Sequence, residues 1–312
     1  MNKYPVWLDC DVGVDDAIAI MALHALEETD LLAISTVSGN VPLSSTFSNA
    51  HRMNGLMKTH YPVYKGADRP LIVQPQYAYT FHGKNGLGDV ELPLPEDAKM
   101  LDTPAWDALY ACAKQHPGEL RLIAIGPLTN VAIALTKYPE LKTLLHTILI
   151  MGGAAVGGNV TPAAEFNIWQ DAEAAKIVVD AGIEQLVLVG WDACLGDAML
   201  IPSEIDEIQK SGPLGKFAID CNRQLMVLNS ERFGDSYLDM ADPSAVAAAL
   251  YPECIETCDK YFCEVDVSNG PGYGNVIVDR CNVTGKEPNV YICSKLYANK
   301  FKHYMYKTLR VC

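Results

Sequence analysis

The 312-residue chain is predicted to be an α/β protein, a single domain over residues 1–312 with a mostly parallel central sheet flanked by helices. Three observations predict this class. Short apolar runs of strand length alternate with longer stretches of helical periodicity. Apolar residues make up 49% of the chain and charged residues 20%, which is the composition of an ordinary globular core. No linker, internal repeat or low-complexity segment divides the sequence.

The first two thirds of the chain contain the clearest alternation of strand and helix. The predicted strands cover residues 6–8, 31–37, 120–124, 147–151 and 185–189. The predicted helices between and after them cover residues 15–27, 43–58, 104–115, 127–137 and 171–181. Because strands joined through helices run parallel in one sheet, this order predicts helices on both faces of a mostly parallel sheet.

The remaining elements are less regular. Two helices are predicted over 213–231 and 243–249, two strands within 260–278 around the turn-rich residues 268–272, and a closing helix over 294–306. The segment 65–95 lacks periodicity and is rich in Gly, Pro and Tyr, so it is interpreted as a long functional loop. Ligands of such sheets bind beyond the carboxyl ends of the strands, so functional residues are expected just after each strand.

The net charge of −14 and the absence of a basic stripe argue against a nucleic-acid partner. An acidic chain suits a small uncharged substrate or a site that holds a cation. The sequence enters an acidic motif at Asp9, which leaves no room for a signal peptide, and no apolar run approaches the roughly 20 residues that span a bilayer. Ten scattered cysteines are typical of reduced thiols, so a cytoplasmic protein is expected.

Four carboxylates crowd the end of the first predicted strand, at Asp9, Asp11, Asp15 and Asp16. One of them is readily explained as a helix cap, but four clustered acids repel one another unless a positive charge lies between them. Carboxylate oxygens are the ligands that hard cations prefer. The cluster therefore predicts a metal site.

One known group with such a start is the haloacid-dehalogenase-like phosphatases, which the chain resembles in two places. Asp9 and Asp11 would be the nucleophile and the acid of that family, and residues 234–239 resemble its late metal motif. The family's Thr shortly after the second Asp is missing, and Asp15 and Asp16 are left unexplained. A magnesium-dependent phosphatase is therefore kept as an alternative.

A second family matches more of the chain. The segment 9–17 resembles the N-terminal fingerprint of the inosine–uridine-type nucleoside hydrolases, with Val12 where Pro is usual. Further blocks match in the family's order: Ser-Gly-Asn at 38–40, Gly-Pro-Leu-Thr-Asn at 126–130, Met-Gly-Gly at 151–153, the nine residues 159–167 and, in part, Ala-Asp-Pro at 241–243. The resemblance spans roughly residues 5–280 and implies a nucleoside-hydrolase-like fold with a Rossmann-like core.

The resemblance implies calcium-dependent hydrolysis of the N-glycosidic bond of ribonucleosides to free base and ribose. It implies that Asp11 is the base that takes a proton from the attacking water and is also a calcium ligand. Asp16, the backbone carbonyl of Ile125 and Asp242 would complete the protein ligands of the Ca²⁺ cofactor. Asp9 would orient its neighbours without binding the metal.

The same resemblance implies which side chains meet the ribose. They supply the mixture of acceptors and amides that vicinal hydroxyls need. The implied residues are Asp15, Asn40, Asn159, Glu165 and Asn167, with Met151 packed against the sugar. A loop cap for Asn40, a turn residue for Asn159 and a core position for Met151 remain alternatives.

The base side departs from the family pattern. Members that act on pyrimidines or many nucleosides commonly have a His before the late metal Asp, and purine-specific members have a Trp; this chain has Ala241. His82 is the best remaining acid for the leaving base, with a solvated loop His as the alternative. Arg232 is interpreted either as a base contact or as a surface residue, and Trp191 as core with no assigned role. Base preference stays open.

Two further expectations follow from the resemblance. Members of the family are usually homodimers or homotetramers that serve nucleoside salvage, with a small nucleoside as the only implied partner. A non-catalytic riboside-binding protein is a second alternative, since Ala241 removes a group linked to turnover.

Overall fold

The computed structural model describes residues 3–154 and 157–309. The strands are β1 (Tyr4–Cys10), β2 (Thr29–Thr36), β3 (Val63–Lys65), β4 (Arg121–Ala124), β5 (Thr147–Met151), β6 (Leu186–Val189), β7 (Ile255–Tyr261), β8 (Cys263–Val265), β9 (Val276–Val278) and β10 (Val290–Leu296). The helices are α1 (Val14–Ala25), α2 (Leu43–Met57), α3 (Tyr79–His82), α4 (Ala105–Gln115), α5 (Thr129–Lys137), α6 (Leu141–Leu144), α7 (Phe166–Gln170), α8 (Ala172–Asp180), α9 (Pro202–Gln209), α10 (Pro213–Cys221), α11 (Arg223–Phe233), α12 (Ala241–Leu250) and α13 (Ala298–Leu309).

Eight strands form one sheet in the order β3-β2-β1-β4-β5-β6-β10-β7, and β8 and β9 form a separate antiparallel pair. Neighbours in the large sheet run parallel except β10 and β7. The predicted mostly parallel α/β sheet is therefore confirmed. The chain moves outward from β1 to β2 and β3 on one side and to β4, β5 and β6 on the other. The carboxyl ends of β1 and β4 thus flank a topological switch point, where open α/β sheets bind ligands.

Each face of the sheet is covered by one apolar layer. Successive residues of β1 alternate between them, so Val6 and Leu8 belong to one layer and Trp7 to the other. The layer under Leu8 contains α1 and α12, in which nearly every side chain is buried. A helix that is apolar on all sides needs such a fully buried place. Both helices begin beside the carboxyl edge of the sheet and carry acidic residues in their first turns.

The predicted helix over 213–231 is two helices, α10 and α11, separated at Asn222. The Asn222 amide donates to the carbonyl oxygens of Ala218 (2.8 Å) and Val14 (3.3 Å), and an Asn side chain that competes for backbone groups interrupts helices. The break allows α11 to turn away from α10.

The closing helix was predicted wrongly at its start. Residues 294–296 belong to β10, which pairs with β6 and β7, and α13 begins only at Ala298. The strands β3 and β7 were not predicted either. The residues of β7 are mostly half-exposed or exposed, so that strand lacks the apolar run by which buried strands are recognised.

Two other expectations agree with the structure. The pair β8 and β9 encloses the predicted turn at 268–272, and the segment 65–95 is irregular apart from α3. Within the described ranges 3–154 and 157–309, none of the helices combines the length and apolar character that a bilayer span needs.

Candidate active site

The acidic segment after β1 is held by backbone hydrogen bonds to one of its own carboxylates. Asp16 accepts from the backbone N–H of Asp11 (3.1 Å) and of Gly13 (2.7 Å). Gly13 directly precedes α1, so its N–H is one of the donors that no helical carbonyl can satisfy. The loop is thereby fixed in a form that turns several carboxylates inward.

Asp11 lies at the switch point between β1 and β4 and is fully buried. Its Oδ2 accepts from the backbone N–H of Asn40 (2.7 Å), whereas its Oδ1 has no hydrogen-bond partner. Glycines line both sides of this carboxylate. A Cβ at Gly39 would lie 2.0 Å from Asp11 Oδ2, and one at Gly126 would lie 2.7 Å from Oδ1. Only glycine allows these two loops to approach so closely.

Asp242 in the first turn of α12 completes the cluster. Carboxylate oxygens of Asp15, Asp16 and Asp242 lie within 4.8 Å of one another. Burial, with mutual repulsion of the charges, raises the pKa of Asp15 to about 8, and burial raises that of Asp16 to about 6. Burial and the same repulsion raise the pKa values of Asp11 and Asp242 well above the usual range of a carboxyl group. A cation among these oxygens would reverse that cost.

The residues present fit a hard divalent cation. Buried carboxylate oxygens without any hydrogen-bond partner occur on both Asp11 and Asp15. Ile125 directly follows β4, borders the same cleft and presents a backbone carbonyl, which accepts one hydrogen bond from Asn167 Nδ2 (3.1 Å). A carbonyl oxygen has a second lone pair. Oxygen donors of this number and charge suit Ca²⁺ or Mg²⁺ better than softer metals.

Asp9 is buried away from the cleft. Its Oδ1 accepts from Asn130 Nδ2 (2.8 Å) and from the hydroxyl of Ser35, and Asp9 is not among the residues that border the cleft. Burial raises its pKa to about 7. Two side-chain donors therefore hold one oxygen of the carboxylate that the phosphatase alternative uses as its nucleophile. The late motif of that alternative is also dispersed, since Asp235 is exposed while Asp239 is buried.

A cleft opens above the acidic cluster. Asp11 and Asp16 do not border it, although both lie in the cluster beneath. All the other predicted site residues border it: Asp15, Asn40, His82, Ile125, Met151, Asn159, Glu165, Asn167 and Asp242. The fold therefore brings together residues that the sequence separates by more than 200 positions.

Hydrogen bonds around the start of α7 hold the predicted ribose-binding residues Asn159, Glu165 and Asn167 in place. Glu165 caps this helix, accepting at Oε1 from the Asn167 backbone N–H (2.9 Å) and at Oε2 from that of Gly153 (2.9 Å). Asn159 Oδ1 accepts from the backbone N–H of Phe166 (2.9 Å). Burial raises the pKa of Glu165 to about 7. Carboxyl and amide groups so held are pre-organised to meet hydroxyl groups.

His82 ends the short helix α3 and turns its ring toward the acidic cluster. Its Nδ1 accepts a hydrogen bond from the Val14 backbone N–H (3.1 Å), so the neutral ring carries its hydrogen on Nε2. Burial lowers the pKa of His82 to about 4. His82 is therefore a neutral N–H donor at pH 7 in this arrangement, not an imidazolium ion.

The other end of the cleft consists largely of residues to which the sequence assigned no function. Trp191 borders it, although it was interpreted as core, and Ala241 and Arg232 lie there as well. The remaining members of this end are Phe81, Phe166, Leu225 and Asp239. The signal that could have identified Trp191 is its position, since it follows the carboxyl end of β6 directly after Gly190.

Comparisons with known proteins agree with this geometry. The sequence model of the family described as "Inosine-uridine preferring nucleoside hydrolase" matches residues 6–303. A pyrimidine-specific ribonucleoside hydrolase, RihB of Escherichia coli O1:K1, is 34% identical over 294 residues, which cover 94% of this chain and 92% of RihB.

Two solved structures are similar over almost their whole length. The plant nucleoside hydrolase PpNRh1 superimposes with a TM-score of 0.91 at 28% identity, covering 98% of this chain and 99% of that enzyme. A purine-preferring ribonucleoside hydrolase from Gardnerella vaginalis gives a TM-score of 0.90 at 29% identity, with 98% of each chain covered.

Proposed function

The chain belongs to the family of inosine-uridine preferring nucleoside hydrolases, and on that premise we propose that it hydrolyses the N-glycosidic bond of ribonucleosides to free base and ribose, with calcium as its cofactor. The observation that carries the proposal is the cluster of buried carboxylates at the floor of a cleft whose walls present Asn40, Asn159, Glu165 and Asn167. Membership in this family displaces the phosphatase alternative.

The reaction replaces one bond at the anomeric carbon by another. A water oxygen bonds to that carbon, the carbon–nitrogen bond breaks, and the base leaves with the electron pair and takes up a proton from solvent. Asp11 is proposed to accept the proton of the attacking water, since its Oδ1 has no partner in the protein. The hydroxyl-binding side chains hold the ribose so that the anomeric carbon faces that oxygen.

Calcium is proposed to be held by Asp11, Asp16, Asp242 and the carbonyl of Ile125. When bound, the ion would supply positive charge that makes a neighbouring water easier to deprotonate. Asp15 belongs to the same set of close carboxylates and is proposed to accept from a ribose hydroxyl, together with Asn40. Met151 is proposed to pack against the sugar.

His82 is proposed to assist departure of the base as a neutral hydrogen-bond donor through Nε2. The Val14 N–H that occupies Nδ1 supports this tautomer. Removal of such a donor costs less than removal of a titrating general acid. His82 is thus proposed as a hydrogen-bond donor in place of the acid expected from the sequence. It acts at the same step, the departure of the base.

Base preference is not transferable from the relatives, because one is pyrimidine-specific and another purine-preferring by name. The proposal therefore covers both base classes. The proposal also includes a cytoplasmic location, a role in nucleoside salvage and assembly as a homodimer or homotetramer.

The proposal is tested by reducing-sugar release from a panel of purine and pyrimidine ribonucleosides, with calcium, with a chelator, and with magnesium in place of calcium. Ribose release that the chelator abolishes and calcium restores is expected. Release without dependence on calcium would contradict the cofactor assignment. Tight nucleoside binding without any release would favour the riboside-binding alternative. The absence of both binding and release would overturn the proposal.

A further inference from the structure

Trp191 occupies a fixed position at the base end of the cleft. It begins a short 3-10 helix, Trp191–Cys194, immediately after β6. Its backbone N–H donates to the carbonyl of Gly153 after β5 (2.9 Å), which ties the residue to the neighbouring strand end. Its side chain is half-buried and borders the cleft. The indole is therefore presented to the cleft by two strand ends.

The orientation of the indole is set by a buried carboxylate. Trp191 Nε1 donates to Asp239 Oδ2 (3.2 Å), and the other oxygen of Asp239 accepts from Asn229 Nδ2 (2.6 Å). Asp239 is only 8% exposed, and Asn229 is buried on α11. The backbone beside Asp239 is itself fixed, since Leu238 and Leu200 exchange two hydrogen bonds. This chain of contacts leaves the ring little freedom to rotate.

A comparison with Trp7 shows why core packing alone does not account for Trp191. Trp7 is 1% exposed, stacks on Tyr64 with ring centroids 5.4 Å apart, and donates to the hydroxyl of Ser35. Trp191, by contrast, is half-buried, and its hydrogen-bond acceptor is the carboxylate of Asp239. That carboxylate lies near the acidic cluster.

Phe81 and Phe166 also border this end, but each has a smaller ring than the indole, and the other members of this end are not aromatic. Ala241 has a single methyl group, and the guanidinium of Arg232 lies 5.6 Å from the Trp191 ring centroid. A planar heteroaromatic ring gains most from contact with an aromatic face, and such contacts tolerate different bases. Trp191 is the largest aromatic side chain that borders the cleft.

We propose that Trp191 is the surface against which the nucleobase packs, and that Asp239 is a positioning residue that holds the indole in place. The identity of the ligand rests on the proposed function. In this arrangement the aromatic base contact comes from the turn after β6, not from the start of α12. A purine, which has the larger ring system, gains more from this surface than a pyrimidine does.

The test compares Trp191→Ala and Trp191→Phe with the matched control Trp106→Phe, which alters a half-buried Trp on α4 outside the cleft. The variants are assayed with inosine and with uridine. Trp191→Ala is expected to raise KM about tenfold for inosine and less for uridine, with kcat within about threefold, because the contact is made in both the ground state and the transition state. Unchanged KM values for both nucleosides would overturn the proposal.

A fluorescence measurement separates this inference from the proposed function. Intrinsic tryptophan fluorescence is followed on mixing with saturating inosine or uridine. The change seen in the wild type is expected to persist in Trp106→Phe and to disappear in Trp191→Phe. If no ribose is released from any nucleoside, the proposed function fails, while loss of the signal in Trp191→Phe still supports the base contact. A signal that survives in Trp191→Phe contradicts it.

The positioning role of Asp239 is tested by a double-mutant cycle. Asp239→Ala is expected to raise KM severalfold in the wild type and to have little further effect in Trp191→Ala, because its influence passes through the indole. Asp239→Asn, which retains an oxygen acceptor, is expected to recover most of the loss. Additive effects in the cycle, or a uniform loss of folded protein by circular dichroism in place of a KM effect, would show a merely structural role.

Discussion

The two ends of the cleft differ in how the chain builds them. The ribose and metal end consists of residues at the carboxyl ends of β1, β2, β4 and β5, in the loops that follow them, and in the first turns of α1, α7 and α12. The base end is made by the turn after β6, the helix α11, the residues just before and at the start of α12, Phe166 and the irregular segment around α3. The sheet fixes the positions of the residues at the ribose and metal end. The positions of the residues at the base end depend on connections that the sheet does not fix.

That difference has a functional consequence. The ribose is common to every ribonucleoside, so groups that bind it can be placed on rigid strand ends. The base varies, and the segments that meet it are loops and short helices, which tolerate change. Substitutions at the ribose and metal end should therefore change activity on all nucleosides alike. The effects of substitutions at the base end should depend on the base.

The largest effect is expected from Asp11→Asn. Loss of the proton acceptor and of one metal-binding charge should lower kcat/KM by about 10³-fold or more, equally for inosine and uridine. Steady-state ribose release measures this, with the exposed Asp30→Asn as control. Calcium titration by calorimetry should show weaker binding in the Asp11 variant. A loss of activity on only one of the two nucleosides would contradict the functional difference between the two ends.

Glu165→Gln should change how stability depends on pH. Burial raises the pKa of Glu165 from 4.5 to about 7, so the folded protein keeps a proton that the unfolded chain has lost. Stability is therefore full below pH 4.5 and declines as pH rises through 7, by up to about 3 kcal/mol from this group. Denaturant unfolding between pH 4.5 and 8 should show a smaller decline in Glu165→Gln, while exposed Glu119→Gln should follow the wild type.

Gly39→Ala tests the close approach around Asp11. An added Cβ would lie 2.0 Å from Asp11 Oδ2, so the carboxylate must move out of its position. We expect kcat/KM to fall about 10²-fold for both nucleosides, since small displacements of a reacting group are costly. Gly270→Ala, whose Cβ would meet nothing within 4 Å, is the matched control. Equal activity of the two variants would contradict the geometry assigned to Asp11.

The smallest effect is expected from His82→Phe at the base end. Loss of one neutral hydrogen-bond donor should lower kcat about tenfold, to different extents for inosine and uridine. Because the pKa of His82 is about 4, the pH profile of kcat between 5 and 8 should keep its shape in the variant. The exposed His303→Gln serves as control. Disappearance of a limb of that profile would instead identify His82 as a titrating acid.

The contrast between the two ends also describes how much could be predicted from sequence. Motifs that follow strands identified Asp11, Asn40, Ile125 and Glu165 because strand, turn and helix start lie within a few residues of one another. The catalytic and binding roles of these four residues stay predictions. The base end offered no such pattern, and Trp191 and Asp239 meet although 48 positions separate them.

The errors in the fold have a similar origin. Residues 294–296 of β10 were read as the start of a helix, and β7 was not predicted, because β10 is defined by its pairing with β6 and β7, and β7 by its pairing with β10. Asn222, at the break between α10 and α11, also donates a hydrogen bond to Val14, which is far away in the sequence. Pairings of this kind leave little trace in local periodicity.

The sequence by itself determined the α/β class, the acidic cluster and the family, because apolar periodicity and strand-end motifs are local properties of the chain. The tertiary structure alone decided that Asp9 is buried away from the cleft, that His82 is held as a neutral donor, and that Trp191 faces the cleft beside Asp239. Burial, tautomer and side-chain orientation depend on which distant segments pack together, and that packing is set only when the whole sheet has formed.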